Sequence, residues 1–347
     1  MATSTVLILA IVLVVTLIFT LTNGLHDASS VVATFISCGA ANPRQAISLA
    51  AICGFVGALT GGSAVANTIS GIVAIPTETS LLKVLLAAMI GAVVWNLVTW
   101  KFGFPSSSTH ALVGGLIGAV WISRGSSYIL WGWSELIGSG HHLSGITKIV
   151  AALILSPVLG FIAAFILQIV SNIVLRNAKF SLNRWIKKIQ WVMAGLLAYS
   201  HGANDTQKTV GIIWLALASA SGSYTNGQVG LIWIKGLAGA VMFAGTVLGG
   251  WPIMKTIGRG IYTILPIHSL NSQLSSGGCI VLATALGAPV STTHVVVGSV
   301  IGVGGADEFR MVNCKVGQEI VIAWCVTIPA SAIVAALVFS LLRFVGY

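Results

Sequence analysis

Two polar motifs occur twice, in the same order, inside sequence that is otherwise apolar. Asn23-Gly24-Leu25-His26-Asp27-Ala28-Ser29-Ser30-Val31-Val32 is echoed by His201-Gly202-Ala203-Asn204-Asp205-Thr206-Gln207-Lys208-Thr209-Val210, and Phe104-Pro105-Ser106-Ser107-Ser108-Thr109-His110 by Ala288-Pro289-Val290-Ser291-Thr292-Thr293-His294. The offsets are 205 − 27 = 178 and 294 − 110 = 184, so two halves of the chain carry the same motifs at nearly the same spacing. A carboxylate or a run of hydroxyls is costly in apolar surroundings and is usually retained for function. Gly- or Pro-broken segments at matching places in two halves mark a binding site formed between repeats.

The apolar setting is that of a membrane. The chain has 347 residues, 56% of them hydrophobic and 7% charged, with a mean hydropathy of +0.99. A soluble domain needs about a quarter of its residues charged to cover its surface. Uncharged runs extend from the N-terminus to Leu25 and over Gln45–Thr77, Val84–Trp100, Phe102–Ser123, Ile149–Leu175, Thr209–Ile234 and Gly260–Ala306. Roughly 20 predominantly apolar residues span a bilayer as a helix, so most runs hold one helix and the longest hold two, or one plus a re-entrant hairpin. The alternation of an outer-membrane barrel is absent. Thr5–Thr22 has no basic region before it and runs straight into the first motif, so it reads as a retained helix. The net charge of +10 arises from 17 basic residues concentrated in short loops, which is the positive-inside pattern and not a nucleic-acid surface. The densest basic stretch, Arg176, Lys179, Arg184, Lys187 and Lys188, is expected on the cytoplasmic side. The five cysteines, Cys38, Cys53, Cys279, Cys314 and Cys325, are odd in number and unpaired in spacing, so they read as packing residues.

The expected organisation is a first repeat over residues 1–124 and a second over 191–305. Between them, 125–190 comprises a polar interlude with Trp131, Trp133, Glu135 and the His141-His142 pair, a linking span and the basic connector. A C-terminal span occupies 306–347. In each Asp motif, Gly24 or Gly202 is expected to break or cap a helix, leaving Asp27 and Asp205 near a helix N-terminus. In each hydroxyl motif the Gly/Pro break followed by Ser and Thr predicts a capped helix start whose amides face a polar cavity.

The repeated acids Asp27 and Asp205 are the leading candidates for a shared ion site, against the plainer reading that each only caps a helix. Ser106, Ser107, Ser108 and Thr109, with Ser291, Thr292 and Thr293, either cap their own helices or offer neutral donors beside positive dipole ends, as a tetrahedral oxyanion requires. Lys208 either snorkels to an interface or attracts that anion. His110 and His294 read as structural hydrogen-bonders. No metal site is assigned, although His201 and Asp205, four apart on one helix face, leave a cation-binding reading open.

At these four motifs the chain resembles the inorganic phosphate transporter family often called PiT. The family's Gly-Ala-Asn-Asp stands here as Gly202-Ala203-Asn204-Asp205, and its Pro-x-Ser-x-Thr-His element as Pro105–His110 and again as Pro289–His294. The resemblance implies an all-α integral membrane protein of about ten to twelve transmembrane segments, in two inverted repeats with broken or re-entrant helices, forming a homodimer in the cell membrane. It implies that the hydroxyl motifs, with Thr206, Gln207 and Lys208, hold phosphate, and that Asn23, His26, Asp27, Asn204 and Asp205 hold the coupling ion. His26 stands where sodium-coupled members carry Asn, a pattern similar to the bacterial low-affinity branch. The expectation is therefore phosphate import by proton symport with no cofactor, the phosphate in some cases accompanied by a divalent metal. Sodium-coupled symport, sulfate import or metal export on the same frame remain alternatives, as does an intramembrane hydrolase with Asp27 and Asp205 as its dyad.

Overall fold

A computed structural model describes residues 3–76, 79–138, 142–221 and 228–344. His141 and the residues 222–227 inside the apolar run Thr209–Ile234 lie outside them. Among the described residues the chain is helical, with one isolated bridge between Val73 and Ile129. In chain order the helices are α1 (Thr3–Ser37), α2 (Pro43–Thr60), α3 (Ala64–Ser70), α4 (Thr79–Phe102), α5 (Ser108–Arg124), α6 (Trp133–Ile137), α7 (Gly145–Val174), α8 (Leu182–Ser221), α9 (Gln228–Leu248), α10 (Trp251–Lys255), α11 (Pro266–Ala285), α12 (Thr292–Glu308) and α13 (Cys314–Phe344).

Among the described residues, four helices are long and apolar enough to cross a membrane: α1, α4, α7 and α13. Six spans result if two bent pairs are each counted, α2 with α3, bent by 76°, and α9 with α10, bent by 62°. Both bends fall at glycine pairs, Gly61-Gly62 and Gly249-Gly250. The count is below the ten to twelve that the resemblance implies. The helices left out include α8 and α11, whose buried faces are rich in polar residues, and the 17-residue α5 and α12, which are too short to cross alone.

The order of elements repeats. α1 to α5 and then α7 have counterparts in α8 to α12 and then α13, so the correspondence extends beyond the motif-bearing segments to the two helices that follow them. α5 and α12 begin and end at one offset, since 292 − 108 = 184 and 308 − 124 = 184. The halves exchange partners: α9 packs on α1 and α2 on α8, while α13 packs on α5 and α7 on α12. Glycine makes each crossing close, because without a hydrophobic drive between helices in lipid, association rests on tight backbone approach. A Cβ at Gly114 or Gly118 of α5 would lie 2.4 Å or 2.1 Å from the Ile328 or Ala332 carbonyl of α13. At Gly298 or Gly302 of α12 it would lie 2.2 Å or 2.3 Å from the Pro157 or Phe161 carbonyl of α7.

The same packing corrects the expectation for the Asp motifs. Gly24 and Gly202 do not break or cap anything: α1 runs unbroken for 35 residues and α8 for 40. These glycines admit neighbouring helices, because a Cβ at Gly24 would lie 2.5 Å from the Met242 carbonyl of α9, and one at Gly202 only 2.0 Å from the Gly54 carbonyl of α2. Asp27 and Asp205 are therefore mid-helix residues, remote from any dipole end of their own helices.

Candidate functional site

The hydroxyl motifs form helix starts, as their composition predicts. The chain turns at Gly103 (φ 70°) and Gly287 (φ 65°), then passes Pro105 and Pro289 before the helix begins. Ser107 and Ser291 are the N-caps, and their hydroxyls accept the amides of His110 and His294 at 3.2 Å and 3.3 Å. Each proline lies two residues before its cap, in the approach and not in the first helical turn.

Both starts deliver their first residues to the mid-helix acids. Ser108 donates to Asp27 Oδ2 at 2.7 Å, and Thr293, from the other half, donates to Asp27 Oδ1 at 2.9 Å. His26 Nδ1 lies 3.1 Å from the same Oδ1. The Asp205 carboxylate receives Lys208 Nζ at 2.7 Å and Thr292 Oγ1 at 3.5 Å, with His201 Nδ1 3.7 Å away. Lys208 also crosses between the halves, donating to Thr109 Oγ1 at 2.6 Å and to the Val290 carbonyl at 3.2 Å. Asp27, Asp205 and Lys208 are at most 2% exposed. An ammonium so enclosed does not snorkel; its charge is compensated by Asp205 and its protons by three acceptors.

The remaining predicted residues divide. Ser106 Oγ is 3.3 Å from His26 Nε2 and donates to Thr99 Oγ1 at 2.9 Å, so it belongs to the cluster. Asn204 donates to Thr284 Oγ1 at 2.8 Å and to the Ala288 carbonyl at 3.3 Å. Asn23 is fully buried, and neither of its amide atoms has a hydrogen-bond partner among the described residues; Asn204 Oδ1, Asp205 Oδ2 and His201 Nε2 likewise lack a hydrogen bond. Thr206 and Gln207 are not brought to the acids. Thr206 donates to Met242 Sδ at 3.2 Å, and Gln207 Oε1 accepts the Val65 amide at 2.9 Å in the first turn of α3. His201 Nδ1 lies 3.1 Å from Thr292 Oγ1, and among the described residues no three His, Cys, Asp or Glu side chains gather as a metal would need. The His110 and His294 rings lie 4.6 Å apart between centroids, tilted by 37°, and Trp324 stacks on His294 at 3.8 Å while donating to the Pro105 carbonyl at 3.1 Å.

Thr99, Thr284 and Trp324 were not legible from the motifs. Thr99, 3.3 Å from His26 Nε2, and Thr284, bonded to Asn204, sit at the ends of α4 and α11 just before the chain breaks. Another signal was present in the sequence: at the offset of 178, Asn23 faces His201 and His26 faces Asn204 (23 + 178 = 201; 26 + 178 = 204). Each half thus carries one Asn and one His before its Asp, in exchanged positions.

Two capped half-helices and two long helices closing on buried acids define a multi-pass membrane protein with a central enclosed polar site. Residues 23–335 match the phosphate transporter family, and the chain belongs to it. It is similar to a "Probable low-affinity inorganic phosphate transporter" of Bacillus subtilis (strain 168), 36% identical over 98% of each chain. A protein of the same description from Rhizobium meliloti (strain 1021) is 38% identical, covering 94% of this chain and 93% of that one. Among solved structures, "The sodium-dependent phosphate transporter" superposes with a TM-score of 0.83 at 25% identity, over 97% of this chain and 99% of that chain. The protein is a transporter of the cell membrane and not an enzyme.

Proposed function

We propose that the protein is a secondary active transporter that imports inorganic phosphate together with a cation, and that the cation is the proton. The observation that carries this reading is the convergence of Ser108 and Thr293, one from each half, on Asp27, with Thr292 and Lys208 on Asp205. These hydroxyls can turn from carboxylate to phosphate oxygens, and the two helix N-termini add positive dipole ends. Holding the anion by neutral donors and one shared ammonium permits release, which a cage of fixed cations would oppose.

The charges supply the coupling. Two carboxylates and one ammonium leave the cluster one negative charge in excess, which repels a phosphate at these distances. Lys208 answers for Asp205; Asp27 has no fixed cation, so a mobile one must accompany the substrate. His26, whose Nδ1 lies 3.1 Å from Asp27 Oδ1, offers a nitrogen that can pass a proton to and from that carboxylate. Asn23 and Asn204 complete the ion site, and the first and second repeats rock about it as inverted halves. The protein works as a homodimer, and phosphate travels free or with a divalent metal. A second reading, in which Asn23, Asn204 and Asp27 hold sodium, is favoured by the likeness to the sodium-dependent phosphate transporter.

Labelled phosphate uptake into proteoliposomes, with proton, sodium and divalent-metal gradients imposed one at a time and sulfate as competitor, decides between them. The expected result is uptake that follows an inward proton gradient, persists without sodium and is not displaced by sulfate. Strict sodium dependence would replace the proton while keeping phosphate; displacement by sulfate would change the substrate.

A further inference from the structure

α4 and α11 hold matching places, yet their first halves differ in kind. At the offset that brings Thr99 onto Thr284 (284 − 99 = 185), Asn271, Ser272, Gln273, Ser275 and Ser276 of α11 correspond to Leu86, Ala87, Ala88, Ile90 and Gly91 of α4. All five polar side chains are at most 4% exposed. Burying a hydroxyl or amide is unfavourable unless it is hydrogen-bonded, and α4 shows that the position can be filled with aliphatic residues. Two of the polar atoms, Ser272 Oγ and Gln273 Oε1, have no partner among the described residues, so packing alone does not account for them.

Asn271 and Ser275, and Ser272 and Ser276, follow one another a turn apart along α11, while Gln273, on another side of the helix, donates to Ser269 at 3.1 Å. At the outer end Asn271 donates to Gln168 at 2.8 Å, Gln168 to Asn172 at 2.8 Å, and Asn172 to Asp307 at 3.3 Å, whose side chain is 31% exposed. Further in, Ser276 bonds to Ser299 of α12 at 2.9 Å. Beyond that, Leu197, Ile280 and Val296 belong to one buried apolar cluster. They lie one helical turn from His201, Thr284 and Thr292 respectively, residues of the central site.

We infer that this polar seam along α11 is the access route by which small hydrated ions reach the central site from the Asp307 end, and that Leu197, Ile280 and Val296 are the plug that closes it. The inference rests on the transport reading above. α4, aliphatic at the matching positions, offers no such route and seals its own half.

The test uses single cysteines in a chain whose five native cysteines have been replaced, reconstituted into liposomes and first checked for labelled phosphate uptake. Ser272→Cys and Ser275→Cys are compared with Ala87→Cys and Ile90→Cys for reaction with charged methanethiosulfonates, with and without inorganic phosphate. Only a hydrated thiol forms the reactive thiolate readily, so the α11 pair is expected to react roughly tenfold faster or more, and phosphate is expected to slow it. Equal rates on the two helices, or no reaction on α11 in protein that takes up phosphate, would show that the seam is packing and overturn the inference. Fast α11 labelling in protein that never takes up phosphate or any competing anion would instead remove the transport reading and leave a water-filled seam. Amide hydrogen exchange on the unsubstituted protein reads the same contrast without cysteines: residues 269–276 should exchange before 84–91, and the reverse order would count against the route.

Discussion

Asp27 and Asp205 occupy matching places on α1 and α8, each buried, each met by a hydroxyl-capped half-helix, and yet their charges are managed differently. Asp27 is held by two hydroxyls and an imidazole, from Ser108, Thr293 and His26. Asp205 is held by the Lys208 ammonium, at the place where the first half carries Ser30 (208 − 178 = 30). The difference teaches that a repeat supplies equivalent positions while a single substitution assigns them unequal roles. On the transport reading proposed above, the carboxylate with a permanent partner is structural first, and the one without gains and loses the cation.

The largest effect that follows is at Asp27. Asp27→Asn keeps the shape of the side chain and removes the uncompensated charge, so concentrative phosphate uptake should disappear while the protein remains folded in detergent and membrane. Concentrative uptake by this variant would erase the distinction between the two acids. Asp205→Asn should fail for another reason, because it strands Lys208 as a buried unpaired cation at a cost of about 3–5 kcal/mol. Thermal unfolding should show that loss, and the double variant Asp205→Asn with Lys208→Gln should recover much of it; a single variant as stable as the parent would mean that Lys208 has another partner.

A smaller effect sharpens the comparison at the hydroxyls. Thr293→Val removes a donor 2.9 Å from Asp27, whereas Thr292→Val removes one 3.5 Å from Asp205. Losing a hydrogen bond to a charged group costs about 1.5–3 kcal/mol, so phosphate affinity should fall more than tenfold in the first and less in the second. His26→Asn should leave partial uptake with an altered pH profile, because it replaces the imidazole in contact with Asp27 by a neutral amide that carries no exchangeable charge. An unchanged profile would make His26 a fixed hydrogen-bond partner. Gln207→Leu should have the least effect on phosphate affinity, since its amide serves the first turn of α3; a large affinity loss would return Gln207 to the substrate site.

Much of the site was legible because charge in an apolar chain is conspicuous. Asp27, Asp205, Ser108, Thr109, Thr292, Thr293, His26 and Lys208 all meet in one cluster, and Ser107 and Ser291 cap their helices as Gly/Pro followed by serine predicts. Thr206 and Gln207 sit in the same motif but point to α9 and α3, because neighbours on a helix face different directions and α8 is buried on all sides over residues 200–213. Gly24 and Gly202 misled for a related reason: glycine in a membrane helix serves close crossing as readily as it breaks a helix, and its neighbour decides which.

The sequence by itself determined the membrane class, the twofold repetition of the motifs and the residue types that the candidate site gathers, since each follows from composition and local pattern that hold wherever the segments lie. Only the tertiary structure decided that the halves exchange partners, that Thr293 of one half serves Asp27 of the other, and that Lys208 spans both. Those contacts join residues up to 266 positions apart. Their formation depends on which glycine-lined faces fit together in three dimensions, a property of surfaces assembled from several helices that no single segment carries.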